Sequence, residues 1–128
     1  MSTELPFRIR RCLDDRVNSF GKLRLTSALI PAPDYRLAFA QLCEAIGESP
    51  DRVDDYVDDA VGFVQRDANN AVHLVVLQDE LEILTELVAM NQREPFTVAR
   101  YLAESSIRRL RAMANVFLDV SRASLDDK

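Results

Sequence analysis

Residues 49–59 have the sequence Ser-Pro-Asp-Arg-Val-Asp-Asp-Tyr-Val-Asp-Asp, and this stretch contains the clearest helix start in the chain. Ser49 is an N-cap candidate, Pro50 fits the first helical position, and Asp51 suits the positive end of the helix dipole. We therefore expect a helix over residues 50–68. Its apolar face would comprise Val53, Tyr56, Val57, Ala60, Val61 and Val64.

The next segment toward the C-terminus begins with Asn69-Asn70, which predicts a break because asparagine can end one helix and cap the next. The alternative is one very long helix over residues 50–92. We favour a separate helix over residues 71–92, which would be apolar around more than half of its circumference. Such a helix is typical of the middle of a bundle or of a dimer seam. Its face would be led by Leu74, Leu77, Leu81, Leu84, Leu87 and Val88.

A last helix is expected over residues 95–121, opened by Glu94-Pro95. Its small and apolar residues repeat at alternating spacings of four and three, which is typical of the seam of a bundle or coiled coil. The seam would comprise Ala99, Ala103, Ser106, Leu110, Met113, Phe117 and Val120.

The N-terminal part predicts two helices, over residues 5–23 and 34–46, joined by a proline-containing linker over residues 24–33. Gly47 would end the second of them. A shorter alternation at Phe7–Arg11 allows a β-strand instead, as in a ribbon-helix-helix DNA-binding arm, but the helical pattern runs further and we favour it. The face of the first helix would comprise Leu5, Ile9, Cys12, Leu13, Val17, Phe20 and Leu23.

Composition agrees with an all-α fold, a compact bundle of about five helices in one domain over residues 1–128, which we expect to be dimeric. The chain has 128 residues, 48% of them hydrophobic, and only three glycines, which favours helices with short connections. Its apolar runs are far shorter than the roughly 20 residues of a membrane span. Two cysteines are too few for a disulfide framework, so we expect reduced thiols and a cytoplasmic location.

The acidic cluster of the helix over residues 50–68 suggests metal chemistry, because carboxylates four residues apart can reach one ion. However, these aspartates would lie opposite the apolar face and point into solvent, where a basic partner could contact them. Residues 37–94 carry a net charge of −10, against +3 before them and +2 after them. The candidate residues are Asp54, Asp55, Asp58 and Asp59.

Three polar residues would fall along one line within the apolar arc of the helix over residues 71–92: His73, Glu80 and Asn91. Polar groups on a packing face are stable only with hydrogen-bond partners, so we expect them to be hydrogen-bonded in the core or at an interface, with a ligand pocket as the alternative. His73 acting as base for Cys12 or Cys43 is a weaker alternative, since neither cysteine has a catalytic signature around it.

Arginines on the last helix suggest a third surface. Arg100, Arg111 and Arg122 are eleven residues apart and would form one outward stripe, with Arg108 nearby. A basic face is what phosphate contacts require, although the chain as a whole is acidic.

From these patterns we expect a non-enzymatic protein–protein interaction module, that is, a small regulator, adaptor or assembly factor that acts through helix faces as a homodimer. We expect no cofactor. The alternatives are a nucleic-acid-binding regulator that uses the basic first and last helices, and a metal-dependent helical hydrolase that uses the acidic cluster.

Overall fold

The computed structural model of the chain describes the backbone of residues 5–126 and the side chains of residues 5–116. Within that range the chain forms six α-helices, three short strands and one 3-10 turn, Pro33–Tyr35. The helices are α1 (Phe7–Asp15), α2 (Phe20–Leu29), α3 (Phe39–Ile46), α4 (Pro50–Asp59), α5 (Gln78–Arg93) and α6 (Pro95–Asp126). The strands are β1 (Arg36–Ala38), β2 (Val64–Arg66) and β3 (Ala71–Leu74).

Helices α3 and α4 form a helix-turn-helix that is followed by a β-hairpin. Gly47 ends α3 in the left-handed conformation, with φ of 78°, which glycine adopts without a steric penalty. The side chain of Ser49 then accepts the first hydrogen bond of α4, from the backbone N–H of Arg52 at 3.5 Å. Strands β2 and β3 form the hairpin, and β1 pairs with the other edge of β3 in an antiparallel sheet of order β1-β3-β2. The elements therefore follow one another as helix, turn, helix and hairpin, with β1 completing the sheet.

Asp67 fixes the turn of the hairpin. Its Oδ1 accepts hydrogen bonds from the backbone N–H groups of Asn69, at 2.8 Å, and Ala71, at 3.1 Å. Arg36 of β1 donates to its Oδ2 at 2.6 Å. These donors, the N–H of Ala71 foremost, hold the pKa of Asp67 below its usual value. One carboxylate therefore ties all three strands together.

The core is a single cluster to which every helix contributes. The sheet adds Val64 and Val72 from its inner face, while Arg36, His73 and Gln65 lie side by side on the other face. The fully buried apolar side chains from the helices are Ile9, Leu13, Leu25, Leu29, Leu42, Val53, Leu84, Leu87, Val98 and Leu102. The described chain is thus mostly helical, as expected, and none of its helices is both long and apolar enough to cross a membrane.

The expected helix over residues 5–23 is in fact two helices. Ser19 is an N-cap that sequence analysis missed: its side chain accepts the backbone N–H of Lys22 at 3.2 Å and starts α2. The apolar pattern continues through the break because Val17, between the helices, is also buried. Residues 24–29 are consequently helical and not part of a linker. The strand alternative at Phe7–Arg11 is wrong, because these residues lie in α1.

The sheet corrects three other expectations. Residues 36–38, 64–66 and 71–74 were expected within helices and form strands. Asn69-Asn70 does interrupt the chain, but it connects two strands, and Asn70 takes a φ of 61° there. As a result α4 ends at Asp59 and α5 begins only at Gln78, so a single helix over residues 50–92 is also wrong.

Helix α6 is much longer than the body of the protein requires. Its 32 residues span about 48 Å. Among the side chains described, those in the first part of α6 are packed: Val98, Leu102 and Ser105 are buried, whereas every residue from Ile107 to Val116 is exposed except Arg109, which is half-buried. The helix therefore continues past the core with its described side chains uncovered.

Candidate functional site

The most prominent surface feature is an apolar stripe on α6, formed by Ile107, Leu110, Met113 and Val116. These side chains are 48%, 65%, 69% and 64% exposed. Successive members are three residues apart and so are neighbours on the helix, but each step turns by about 60°, so the stripe winds around the helix with Leu110 and Met113 at its centre. Contiguous exposed apolar side chains are unusual on a monomeric protein and typically mark an interaction surface.

This stripe overlaps the coiled-coil seam expected from the sequence. Leu110 and Met113 belong to both, and the structure places them in solvent and not against another helix of the same chain. Two further seam residues, Phe117 and Val120, have side chains outside the described part. Leu110 and Met113 of the four-and-three repeat are thus not packed against any other part of residues 5–116.

Polar contacts fix the direction in which α6 leaves the body. Tyr101 and Ser105 both donate hydrogen bonds to the carboxylate of Asp14 on α1, at 3.0 and 2.9 Å. One turn further on, Arg109 donates to the backbone carbonyl of Asn18 at 2.8 Å. The apolar stripe begins at this last anchored turn, so it is presented in a defined orientation and not on a loose end.

The broad apolar arc expected for α5 is mostly covered by the chain itself. Leu84, Leu87 and Val88 are buried, and Leu81 is half-buried. Leu77, which precedes α5, is 80% exposed. The segment over residues 71–92, from which the sequence suggested a dimer, therefore leaves Leu77 as its most exposed leucine, and the longest run of exposed apolar side chains among the described residues is on α6.

The aspartates of α4 form an acidic face, defined here as Asp51, Asp55, Asp58 and Asp59, all exposed. Their neighbour Asp54 is half-buried and accepts a hydrogen bond from Arg66 Nη2 of β2 at 2.5 Å. The outward orientation expected for the cluster therefore agrees with the exposure of Asp51, Asp55, Asp58 and Asp59, whereas Asp54 is partly covered by its contact with β2. Among the described residues, no group of three or more histidine, cysteine, aspartate or glutamate side chains is placed to hold a metal ion.

The basic candidates lie where the sequence suggested. Arg100, Arg108 and Arg111 are exposed on α6, and the guanidinium of Arg108 lies 5.5 Å from the centre of the Tyr101 ring. The side chain of Arg122 is outside the described part. Helix α1 packs against α6, but its Arg8 is paired with Glu86 of α5 at 2.6 Å. The combined basic surface is therefore partly neutralised.

His73, Glu80 and Asn91 do not share a helical face. His73 lies in the middle strand of the sheet, where its Nδ1 is buried without a hydrogen-bond partner among the described residues. Glu80 lies in the first turn of α5 and binds the guanidinium of Arg16 with both carboxylate oxygens. Asn91 lies near the end of α5, beside α2. The expected polar line is wrong because residues 71–74 are extended and not helical.

The two thiols are unpaired and poorly suited to nucleophilic roles. Cys12 is buried in the core, and burial raises the pKa of its thiol to about 11. Burial also raises the pKa of Cys43. Both are therefore protonated at neutral pH, and a thiol must lose its proton to attack.

Comparisons of this chain with protein-family models, with curated proteins and with solved structures found no match.

Proposed function

We propose that this protein is a non-enzymatic interaction module that forms a homodimer through the apolar stripe of α6. The observation that carries the proposal is the exposure of Leu110 and Met113, about two-thirds each, on a helix whose orientation is fixed by Asp14. Burying such side chains would contribute about 1–2 kcal/mol each. A second copy supplies the same exposed Leu110 and Met113, which both belong to the four-and-three repeat, and two-fold symmetric dimers are the commonest assemblies.

The test is sedimentation analysis of the wild-type protein and of the double variant Leu110→Glu/Met113→Glu. We expect the wild type to sediment as a dimer of twice the 14.5 kDa chain mass and the variant as a monomer with unchanged helix content. The control is Arg100→Glu/Arg111→Glu, which alters the same helix on the side away from Leu110 and Met113. A monomeric wild type at high micromolar concentration would contradict the proposal.

The acidic face of α4 suggests a second contact, with a basic protein partner. In a DNA-binding helix-turn-helix, the second helix enters the major groove between two rows of phosphates. Here that helix is α4, and its exposed side includes four aspartates. Like charges repel, so this surface favours arginine- or lysine-rich protein over nucleic acid. We therefore propose that the module bridges its own second copy and a basic partner, in the cytoplasm.

Nucleic-acid binding is retained as the second candidate because of one observation, the helix-turn-helix followed by a hairpin. Fold alone does not establish function, and the charge of α4 opposes this role. Any binding would have to use Arg100, Arg108 and Arg111 of α6 together with α1. We expect no retention on heparin or duplex DNA at low salt, and retention that falls steeply with salt would support this candidate instead.

A further inference from the structure

A cleft of about 570 Å³ lies between α2, the turn that joins α3 to α4, and the junction of α5 with α6. Its volume falls within the range of about 300–1,000 Å³ that is typical of small-molecule sites. The space exists because small side chains stand at its walls, Ala28 on α2, Ala45 on α3 and Ala99 on α6. It is separate from the apolar stripe, which begins two turns later on α6.

The polar groups in the cleft carry no net charge. Arg24 and Glu48 line it, and they are paired with each other. Tyr56 also donates a hydrogen bond to Glu48, and this bond is the main reason that the pKa of Glu48 lies below its usual value. Both charges are therefore already satisfied by the protein, so a charged ligand would have to compete for them.

Two uncharged polar side chains remain at the wall. The hydroxyl of Ser27 is shielded from solvent and has no hydrogen-bond partner among the described residues. Asn91 of α5 also lines the cleft with an amide, which can both donate and accept. The shielded Ser27 hydroxyl is out of reach of a molecule in the cleft, so Asn91 is the uncharged polar group that a ligand can contact.

We propose that this cleft binds a small uncharged molecule with an apolar ring and one hydrogen-bonding group. Leu23 and Ile46 supply apolar wall surface for the ring. Asn91 supplies the hydrogen bond, and the Arg24–Glu48 pair discriminates against charged relatives. The walls belong to α2, to the turn that joins α3 to α4, and to the junction of α5 with α6. A bound ligand therefore contacts all three of these regions at once.

The test uses three probes that share one ring and differ in charge: benzyl alcohol, benzoate and benzylamine. The backbone amides of the ¹⁵N-labelled full chain are followed by NMR during each titration. We expect benzyl alcohol to shift amides of α2 and of the α5–α6 junction, with an affinity at least about tenfold above that of either charged probe. No shift at these amides, or equal binding of the charged probes, would overturn the proposal.

Variants give the second arm of the test. Ala99→Leu fills the cleft, and alanine and leucine are both good helix formers, so the helix is retained. We expect it to weaken benzyl alcohol binding by about tenfold or more, whereas Ala103→Leu, at an exposed position on α6, leaves binding unchanged. Asn91→Ala removes a hydrogen-bonding group without adding volume to the cleft. It should weaken benzyl alcohol binding severalfold. If Ala99→Leu or Asn91→Ala binds benzyl alcohol as tightly as the wild type does, the probe binds outside the cleft and the proposal is overturned.

Discussion

Leu84 and Asp55 show how differently single residues contribute to this fold. Leu84 is fully buried in α5, whereas Asp55 is exposed on α4 beside other aspartates. We predict that Leu84→Ala lowers the free energy of unfolding by about 2–5 kcal/mol, because it leaves a cavity. Asp55→Ala should be neutral or slightly stabilising, since it relieves repulsion with Asp51 and Asp59. Urea denaturation followed by circular dichroism measures both, and equal losses would contradict these burial assignments.

Asp67 makes a pH-dependent contribution to stability. Its pKa is lowered in the folded protein, so its ionised form stabilises the fold. That contribution is present above the pKa of the unfolded chain and is lost as pH falls through the lower folded value. We predict that Asp67→Ala destabilises the protein at pH 7, and that the difference from wild type shrinks as the medium is acidified below pH about 4.

The matched control for Asp67 is Asp58→Ala, which removes an exposed carboxylate outside the hairpin. Its stability relative to wild type should change little with pH. The two variants are compared by urea denaturation at several pH values. A difference between wild type and Asp67→Ala that stays constant, or that grows in acid, would show that the carboxylate does not hold the turn.

At the scale of elements, the packing of α2 against α4 depends on Gly21. A Cβ atom at this position would overlap the ring of Tyr56, whereas one at Gly62 would meet only Arg16 Nη1 at 3.4 Å. Alanine normally stabilises a helix relative to glycine. We predict the opposite at Gly21, where Gly21→Ala costs about 1–3 kcal/mol through overpacking. Gly62→Ala should change the thermal midpoint little, and a Gly21→Ala variant as stable as wild type would contradict the α2–α4 packing.

Helices were predicted well from the sequence where a cap and a long apolar pattern coincided. The start of α4 at Pro50 and the end of α3 at Gly47 were both expected from local chemistry, and the structure confirms them. The break at Val17 was not found, because a buried residue between two helices preserves the pattern. Ser19 was the signal that could have revealed it, since serine is a preferred N-cap.

The sheet was missed for a different reason. Its strands have only three or four residues, too few for an alternating pattern to stand out against a helical one. The clue was the valine-containing runs on both sides of Asp67–Asn70, which are typical of a hairpin. Misplacing β3 also displaced a candidate site, because it put His73 on a helix with Glu80 and Asn91. The outward aspartates and arginines were predictable, since their positions depend only on helices that do form.

The whole molecule consists of a packed body and a helix that continues beyond it. Residues 37–94, which include the acidic face of α4, carry a net charge of −10, while the segments on either side are mildly basic. The body buries most of its large apolar residues, including Leu84, Leu87 and Val88 of α5, although Phe7, Val61 and Leu77 are exposed. Among the described side chains, the longest run of exposed apolar residues is on α6. We therefore expect that dimerisation lowers the solvent exposure of α6 and leaves the body unaltered.

Hydrogen–deuterium exchange at several protein concentrations tests this most directly. If a second copy covers the apolar stripe, amides of residues 107–116 should exchange more slowly as concentration rises, because binding stabilises that segment. Amides of α3 and α4 serve as the internal reference and should exchange at a constant rate. Exchange over residues 107–116 that does not depend on concentration across the micromolar range would contradict the central claim.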